Sequence, residues 1–427
     1  MNGRRIVRWS MRVLGVVLVV ALAVLLVLRL YGSHRLAAAD REFAAKLGPI
    51  EGNPYASAKV PDEENAAIYL RAGSEAVILS KRDTQRAGEL TTTRPDAWME
   101  DDRTFMHRIL ADNAPPLELI HRAAAFPKTS FGLRDQRTDV FRSKVPLLKL
   151  LWAQRLLYLE SCLALQEHDL ARFLAAAGAM STMAKALEQE SPLIVPLVGV
   201  ACEKMLLEAT AEALATPDVD ERSISQLEKQ LVDVDLDRAW RRSLRSEFRL
   251  PAHAGIAWMA NTEPNWAERL RYALLGGYVD APYVERMTFL AGAMGTPFGD
   301  GLAERLNALS TSLNLPKGTP NLVNAVGRFQ VVLSERRLAR LALSLRRHAS
   351  QVGTYPTSLA TFPEGADRDP FTGGRIVYTL RPDGSAQLTV PNGVKLWDRL
   401  NPEVHTPGPF TWELPAPQSR AVRGAAS

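Results

Sequence analysis

Seven histidines, at positions 34, 107, 121, 168, 253, 348 and 405, are the first residues to test for chemistry. They are scattered. No His-Glu-x-x-His pair sets two imidazoles on one helical face for zinc, and no Gly-x-Ser-x-Gly elbow presents a serine nucleophile. The glycine-rich stretch AGAMGTPFGDG at 291–301 lacks the lysine and the preceding strand of a phosphate cradle, so it reads as a connector. His168-Asp169 falls at a helix turn, where Asp is a natural N-cap. Glu247, inside RRSLRSEFRL, reads as a structural acid among arginines. Cys162 and Cys202 lie in apolar helical stretches without metal-ligand spacing. They read as unpaired small hydrophobes; a disulfide is the alternative that an oxidising compartment would permit. No catalytic constellation is visible, so the expectation is a protein that is not an enzyme. A hydrolase whose site is dispersed along the chain is the alternative.

Charge narrows the partners. The chain has 52 basic and 47 acidic residues. Arg4, Arg5, Arg8, Arg12, Arg29 and Arg35 carry the whole excess, because residues 1–35 contain no acid. The near-neutral remainder has no footprint for nucleic acid.

Val13 to Leu28 follows the first arginines, sixteen residues without a polar side chain. At 1.5 Å per residue it covers about 24 Å, and snorkelling Arg12 and Arg29 with Trp9 and Tyr31 at the interfaces complete a span. The positive-inside rule puts the N-terminus in the cytoplasm and the bulk outside. A cleaved signal peptide ending near Ala37, Ala38 and Ala39 is the competing reading.

These ends must be joined by helices. DEENAAIYLRAGSEAVILS at 62–80 starts with acids and places Ala66, Tyr69, Leu70, Gly73 and Val77 on one face. A polar loop follows, then helices near 99–112 and 116–125, separated by Pro115 and Pro116. Residues 128–144 read as an irregular connector. From Val145 the apolar pattern strengthens. One helix ends at QEHD, and a second carries Leu170, Phe173, Leu174, Ala177 and Leu187 on one stripe. A third, at 193–215, repeats Ile194, Leu197, Val198, Ala201, Met205 and Ala209. Short turns predict antiparallel neighbours. Helices near 222–233, 236–250, 265–275, 281–292, 300–313 and 320–349 complete the set. In the last one Leu338, Leu341, Ala342 and Leu345 form the apolar face, and Arg336, Arg340 and Arg347 a solvated basic stripe.

The tail changes period. Gly353, Tyr355 and Pro356 stop the helix, RDPFTGG is turn chemistry, RIVYTLR alternates Ile376, Tyr378 and Leu380, and Pro382-Asp383-Gly384-Ser385 reverses the chain into AQLTV. A Leu-, Ala- and Arg-rich helix, Gly-x-Tyr-Pro-x-x-Leu, Asp-Pro-Phe-x-Gly-Gly and a Tyr-bearing strand, over residues 335–393, resemble the C-terminal part of type II secretion major-pseudopilin-like proteins. The N-terminus lacks the leader cleavage pattern and the Glu in the apolar helix of that family, so filament assembly is not expected. With Pro-x-Glu-Glu-Asn-Ala at 61–66, the chain is similar to uncharacterised bacterial membrane-anchored envelope proteins. The pseudopilin resemblance implies calcium as a candidate cofactor. Asp367, Asp369 and Asp383 would supply hard oxygen ligands, and the alternative is that all three merely start turns.

The expected fold is mainly α. Residues 1–12 form a cytoplasmic basic flank, 13–31 a single transmembrane helix and 32–60 a juxtamembrane linker. Residues 61–318 form an extracytoplasmic array of helical hairpins, 319–393 a helix with a β-hairpin, and 394–427 a Pro-rich irregular tail. In the hairpin Ile376, Tyr378 and Leu380 are expected to face Leu338, Leu341 and Leu345. The expected function is a non-enzymatic interaction or scaffold role in the bacterial envelope, held in the inner membrane by residues 13–31. The expected partner is an envelope or secretion-system protein.

Overall fold

A computed structural model describes residues 3–48, 60–131, 145–190, 193–217, 219–245, 322–363, 365–400 and 410–417, with most of 281–298 and part of 301–308. It divides into two compact units. The expected helix near 265–275, the bulk of the 128–144 connector and Glu247 lie outside the described residues.

The first unit comprises residues 1–54, 244–292 and 309–315. Its main element is α1, Gly3–Leu47, an unbroken helix of 45 residues. The most apolar part of α1 has a mean hydropathy of 3.0 and none of it is buried, so the helix is long and apolar enough to cross a membrane. The continuation corrects the linker expected from residue 32. Gly32, Ala39, Phe43 and Leu47 are buried at helical spacing. Arg35 grips Glu285 with two charge-assisted bonds of 2.8 and 2.7 Å. Alanine-rich sequence and the Glu42–Lys46 pair favour helix through this stretch.

The second unit holds the helical body and the tail. Its first helices are α2 (Ala66–Ala76), α3 (Lys81–Leu90), α4 (Glu100–Asp112) and α5 (Ala114–Ala123). The motif at 61–66 has a local task. Asn65 caps α2 by accepting from the Ala67 N–H, and it also binds both backbone groups of Ser130. Gly73 allows α5 to close on α2, since a Cβ there would meet the Pro116 carbonyl oxygen at 2.7 Å. Pro115 and Pro116 do not separate two helices; they occupy the first turn of α5, where the missing N–H costs nothing.

The stretch read as a polar loop is α3. Ser80 caps it, and Ala87 and Leu90 are buried. Pairing of Arg86 with Asp102 and of Arg108 with Asp83 ties it to α4. Its amphipathicity is real but only two residues wide, too little to stand out in a polar sequence.

Next come α6 (Leu147–Gln166), α7 (Leu170–Glu188), α8 (Ile194–Ala215) and α9 (Glu221–Gln230). Asp169 caps α7 as expected, accepting from the Arg172 N–H at 3.0 Å. Phe173, Leu174, Ala177 and Leu187 are buried on α7. The face of α8 differs from expectation: Val195, Gly199, Cys202, Leu206 and Ala209 point inward, whereas Ile194 is exposed and Leu197 and Met205 are half-buried. This helix is apolar almost all round, so its period cannot select a face. Cys162 and Cys202 are both buried and free.

The helix α10, Leu322–Val352, packs on α8, α9 and the tail sheet. Leu338, Leu341, Ala342 and Leu345 are buried, as their spacing predicts. The tail is a three-stranded antiparallel sheet in the order β1 (Val377–Leu380), β2 (Ala386–Thr389), β3 (Thr411–Leu414), with a short helix α11, Gly393–Leu400, between β2 and β3. Residues 394–427 are therefore not uniformly irregular. The expected hairpin face is also corrected. Val377 and Leu380 are exposed, while Trp412 and Leu414 of β3 are buried and β3 packs on α8 and α10. Ile376 is buried, and Tyr378 donates its hydroxyl to the Pro356 carbonyl at 2.7 Å. A lone hairpin has too little apolar area to hold itself, and the third strand supplies it. Stacked Phe298, Phe371 and Phe410 join the glycine-rich segment to the tail turn, with centroids 5.9 and 5.8 Å apart.

Candidate functional site

The densest chemistry in the second unit lies where α7, α8 and α10 meet. Glu188 ends α7, Glu203 lies mid-way along α8, and Glu335 and Arg336 are central in α10. All three glutamates are fully buried, and Arg336 is nearly so. Arg336 was expected on a solvated stripe with Arg340 and Arg347. Instead its Nε and Nη2 engage both oxygens of Glu203, Nη2 also donates to Glu188 at 2.8 Å, and Nη1 donates to the Val234 carbonyl at 2.7 Å. Arg340 remains exposed and Arg347 is half-buried against Glu228. A planar fork suits this bidentate work.

Gly199 makes the meeting possible. A Cβ there would lie 2.7 Å from the Glu188 nitrogen, so only glycine lets the end of α7 sit against α8. Gln154 of α6 adds a bond of 2.8 Å to the Cys202 carbonyl beside Glu203.

One guanidinium cannot balance these acids. Burial and the neighbouring Glu203 push the Glu188 carboxyl well above the usual range, with Arg336 opposing. Burial likewise pushes Glu335 up to about 8, with Lys204 opposing. Both Glu335 oxygens and one Glu188 oxygen are buried without a hydrogen-bond partner. Arg336 stays charged, because both carboxyls outweigh its own burial. The cluster holds a buried cation among carboxyls. It presents no nucleophile beside a base.

A second network runs across α4 to α7. His107 meets Glu167 at 3.0 Å, Arg172 bridges Glu167 (2.9 Å) and Glu160 (3.4 Å), and His121 meets Glu160 at 3.0 Å. Burial lowers the His121 pKa, yet the hydrogen bond and charge of Glu160 outweigh it and the net shift is upward.

The aspartates named as calcium ligands are distributed over two turns. Asp369 is buried, and its Oδ2 accepts from the Thr372 N–H at 2.6 Å and from the Thr372 hydroxyl at 2.5 Å. Asp367 lies 3.5 Å from Arg375. Asp383 accepts from the Ser385 N–H and hydroxyl in the β1–β2 turn. Among the described residues, no group of three or more His, Cys, Asp or Glu could hold a metal ion.

Sequence reasoning missed Glu188, Glu203 and Glu335. One signal was present: Glu203, in VACEKMLL, is flanked by apolar residues on a mostly buried helix, and an acid buried there needs a cation. No protein-family model, curated protein or solved structure matches the chain.

Proposed function

We propose that this protein is a membrane-anchored interaction or scaffold protein of the bacterial envelope, with its N-terminus in the cytoplasm and its helical body outside. The observation that carries this reading is the division within α1. Its apolar portion is entirely unburied, while Ala39, Phe43 and Leu47 further along the same helix are packed. An uninterrupted helix through Ala37 to Ala39 favours a retained anchor over a cleaved leader. The acid-free arginines at 4, 5, 8 and 12 favour the inward N-terminus. A body tethered in this way acts on what it touches at the membrane. The resemblance of residues 335–393 to major pseudopilins suggests a secretion or pilus system as its setting.

A phosphatase fused after residue 60 tests the topology. It should be active, and the product should stay in the membrane fraction through alkaline wash. A soluble product with a new N-terminus near Asp40 would overturn the anchor. Capture of the intact protein from bacterial membranes should bring down an envelope component in fixed ratio, and repeated recovery of the protein alone would overturn the scaffold role.

A further inference from the structure

Glu335 differs from the triad beside it. Its side chain is completely buried, and neither carboxyl oxygen has a partner. A carboxyl so placed persists as the neutral acid, because ionisation would leave a buried charge without compensation. The groups that face it are Lys204, Glu208 and Glu203, all from α8. Arg336, its neighbour in sequence, is committed to Glu203 and Glu188.

Lys204 has two partners. Its ammonium lies 3.5 Å from Glu208 and 5.3 Å from the ring centroid of Trp397 on α11. The Trp397 side chain is buried, and its indole N–H has no acceptor. The Arg336–Glu203 contact brings the adjoining Glu335 and Lys204 to the same stretch of α10 and α8, and Lys204 in turn lies on the ring of Trp397, whose indole is unpaired. The side chain of Lys204 is 22% exposed, which gives protons a route to and from solvent.

We propose that Glu335 is a proton-binding site that sets how α11 is seated: as the neutral acid it leaves Lys204 on the Trp397 ring, and as the carboxylate it draws the ammonium off that ring. Deprotonation releases one proton to solvent and breaks no other bond. An ion pair with the new carboxylate at low dielectric outweighs a cation–π contact, so the lysine, already beside Glu208, follows the added charge. The response passes outward through α11. Gly393 at the start of α11 lies against the Phe410 ring, the residue that leads into β3. Burial and the two α8 glutamates put the change near the alkaline side of neutrality, and Lys204 opposes them.

The test uses the full chain in detergent micelles, labelled with 5-fluorotryptophan and followed by fluorine NMR. The Trp397 resonance is assigned by its loss in Trp397→Phe. It should titrate with a midpoint near 8 in the wild type. In Glu335→Gln it should stay at its low-pH position, and in Lys204→Met it should not move. An equal titration in Glu335→Gln, or no titration in the wild type, overturns the proposal. Should Glu335→Gln fail to fold, Lys204→Met carries the test, and an unchanged titration there overturns it.

Discussion

The α3–α4 surface and the α7–α8–α10 core use the same residue types in opposite surroundings. On the surface, Arg108 is 51% exposed and pairs with Asp83 and Asp112, while Arg86 bridges Glu89 and Asp102. In the core, Arg336 is 6% exposed and its two glutamates are 0% exposed. Water screens the exposed pairs of the first network, so they add little, and only Asp102 among its carboxylates is buried. In the second, each charge has lost its hydration and depends on the others. The lesson concerns vulnerability more than net stability. A core pair adds little to an apolar alternative, yet removing one member strands the rest.

The largest effect should come from Arg336→Met. It leaves Glu188 and Glu203 without their cation and should cost about 3–5 kcal/mol in urea denaturation followed by circular dichroism. The triple variant Glu188→Leu, Glu203→Leu, Arg336→Met should recover most of that loss. A triple variant as unstable as the single one would show that the cluster stabilises in its own right.

Glu335→Gln sharpens the contrast through pH. The folded carboxyl sits at about 8, above its usual 4.5. Its contribution is complete below the lower value and is lost as pH rises toward the upper one, at up to about 1.4 kcal/mol per pH unit. The amide should flatten this part of the stability profile and leave the variant more stable than wild type above about pH 8. A profile of unchanged slope would remove Glu335 from the account.

The chain from His107 to His121 is intermediate in burial and should be intermediate in effect. The raised His121 pKa means that its contribution is full below about 6.5 and is lost as pH rises through the folded value. His121→Asn should lower the melting temperature below about pH 6.5 and by progressively less as pH rises. The smallest effect belongs to Arg108→Met, a slight drop in melting temperature that is erased in about 1 M salt. Salt-insensitive loss there would mean that its stem packing on Phe105, not its charge, matters.

Much of the architecture was legible because it is local. The apolar run from Val13 to Leu28 needs no partner to declare itself. The α7 stripe, the buried face of α10 and the Asp169 cap follow from periodicity and from the first turn of a helix. Turn residues announced the β1–β2 reversal, where Asp383 binds Ser385. The helix α3 was missed because only Ala87 and Leu90 mark its inner face. The span of β3 was missed because its partner strand lies beyond an intervening helix.

Local pattern was enough for most of the helices, the membrane-compatible end and the turns of the tail. All are properties of neighbouring residues, since helical period, capping and backbone restriction act within a few positions. Long-range packing chose which face of α8 is inside and which arginine of α10 is buried. Arg336 and Arg340 occupy one stripe four residues apart, yet the first meets Glu188 and Glu203 from 148 and 133 residues away and the second meets solvent. Whether a charge is solvated or buried depends on what long-range packing brings against it, and local pattern carries no record of that.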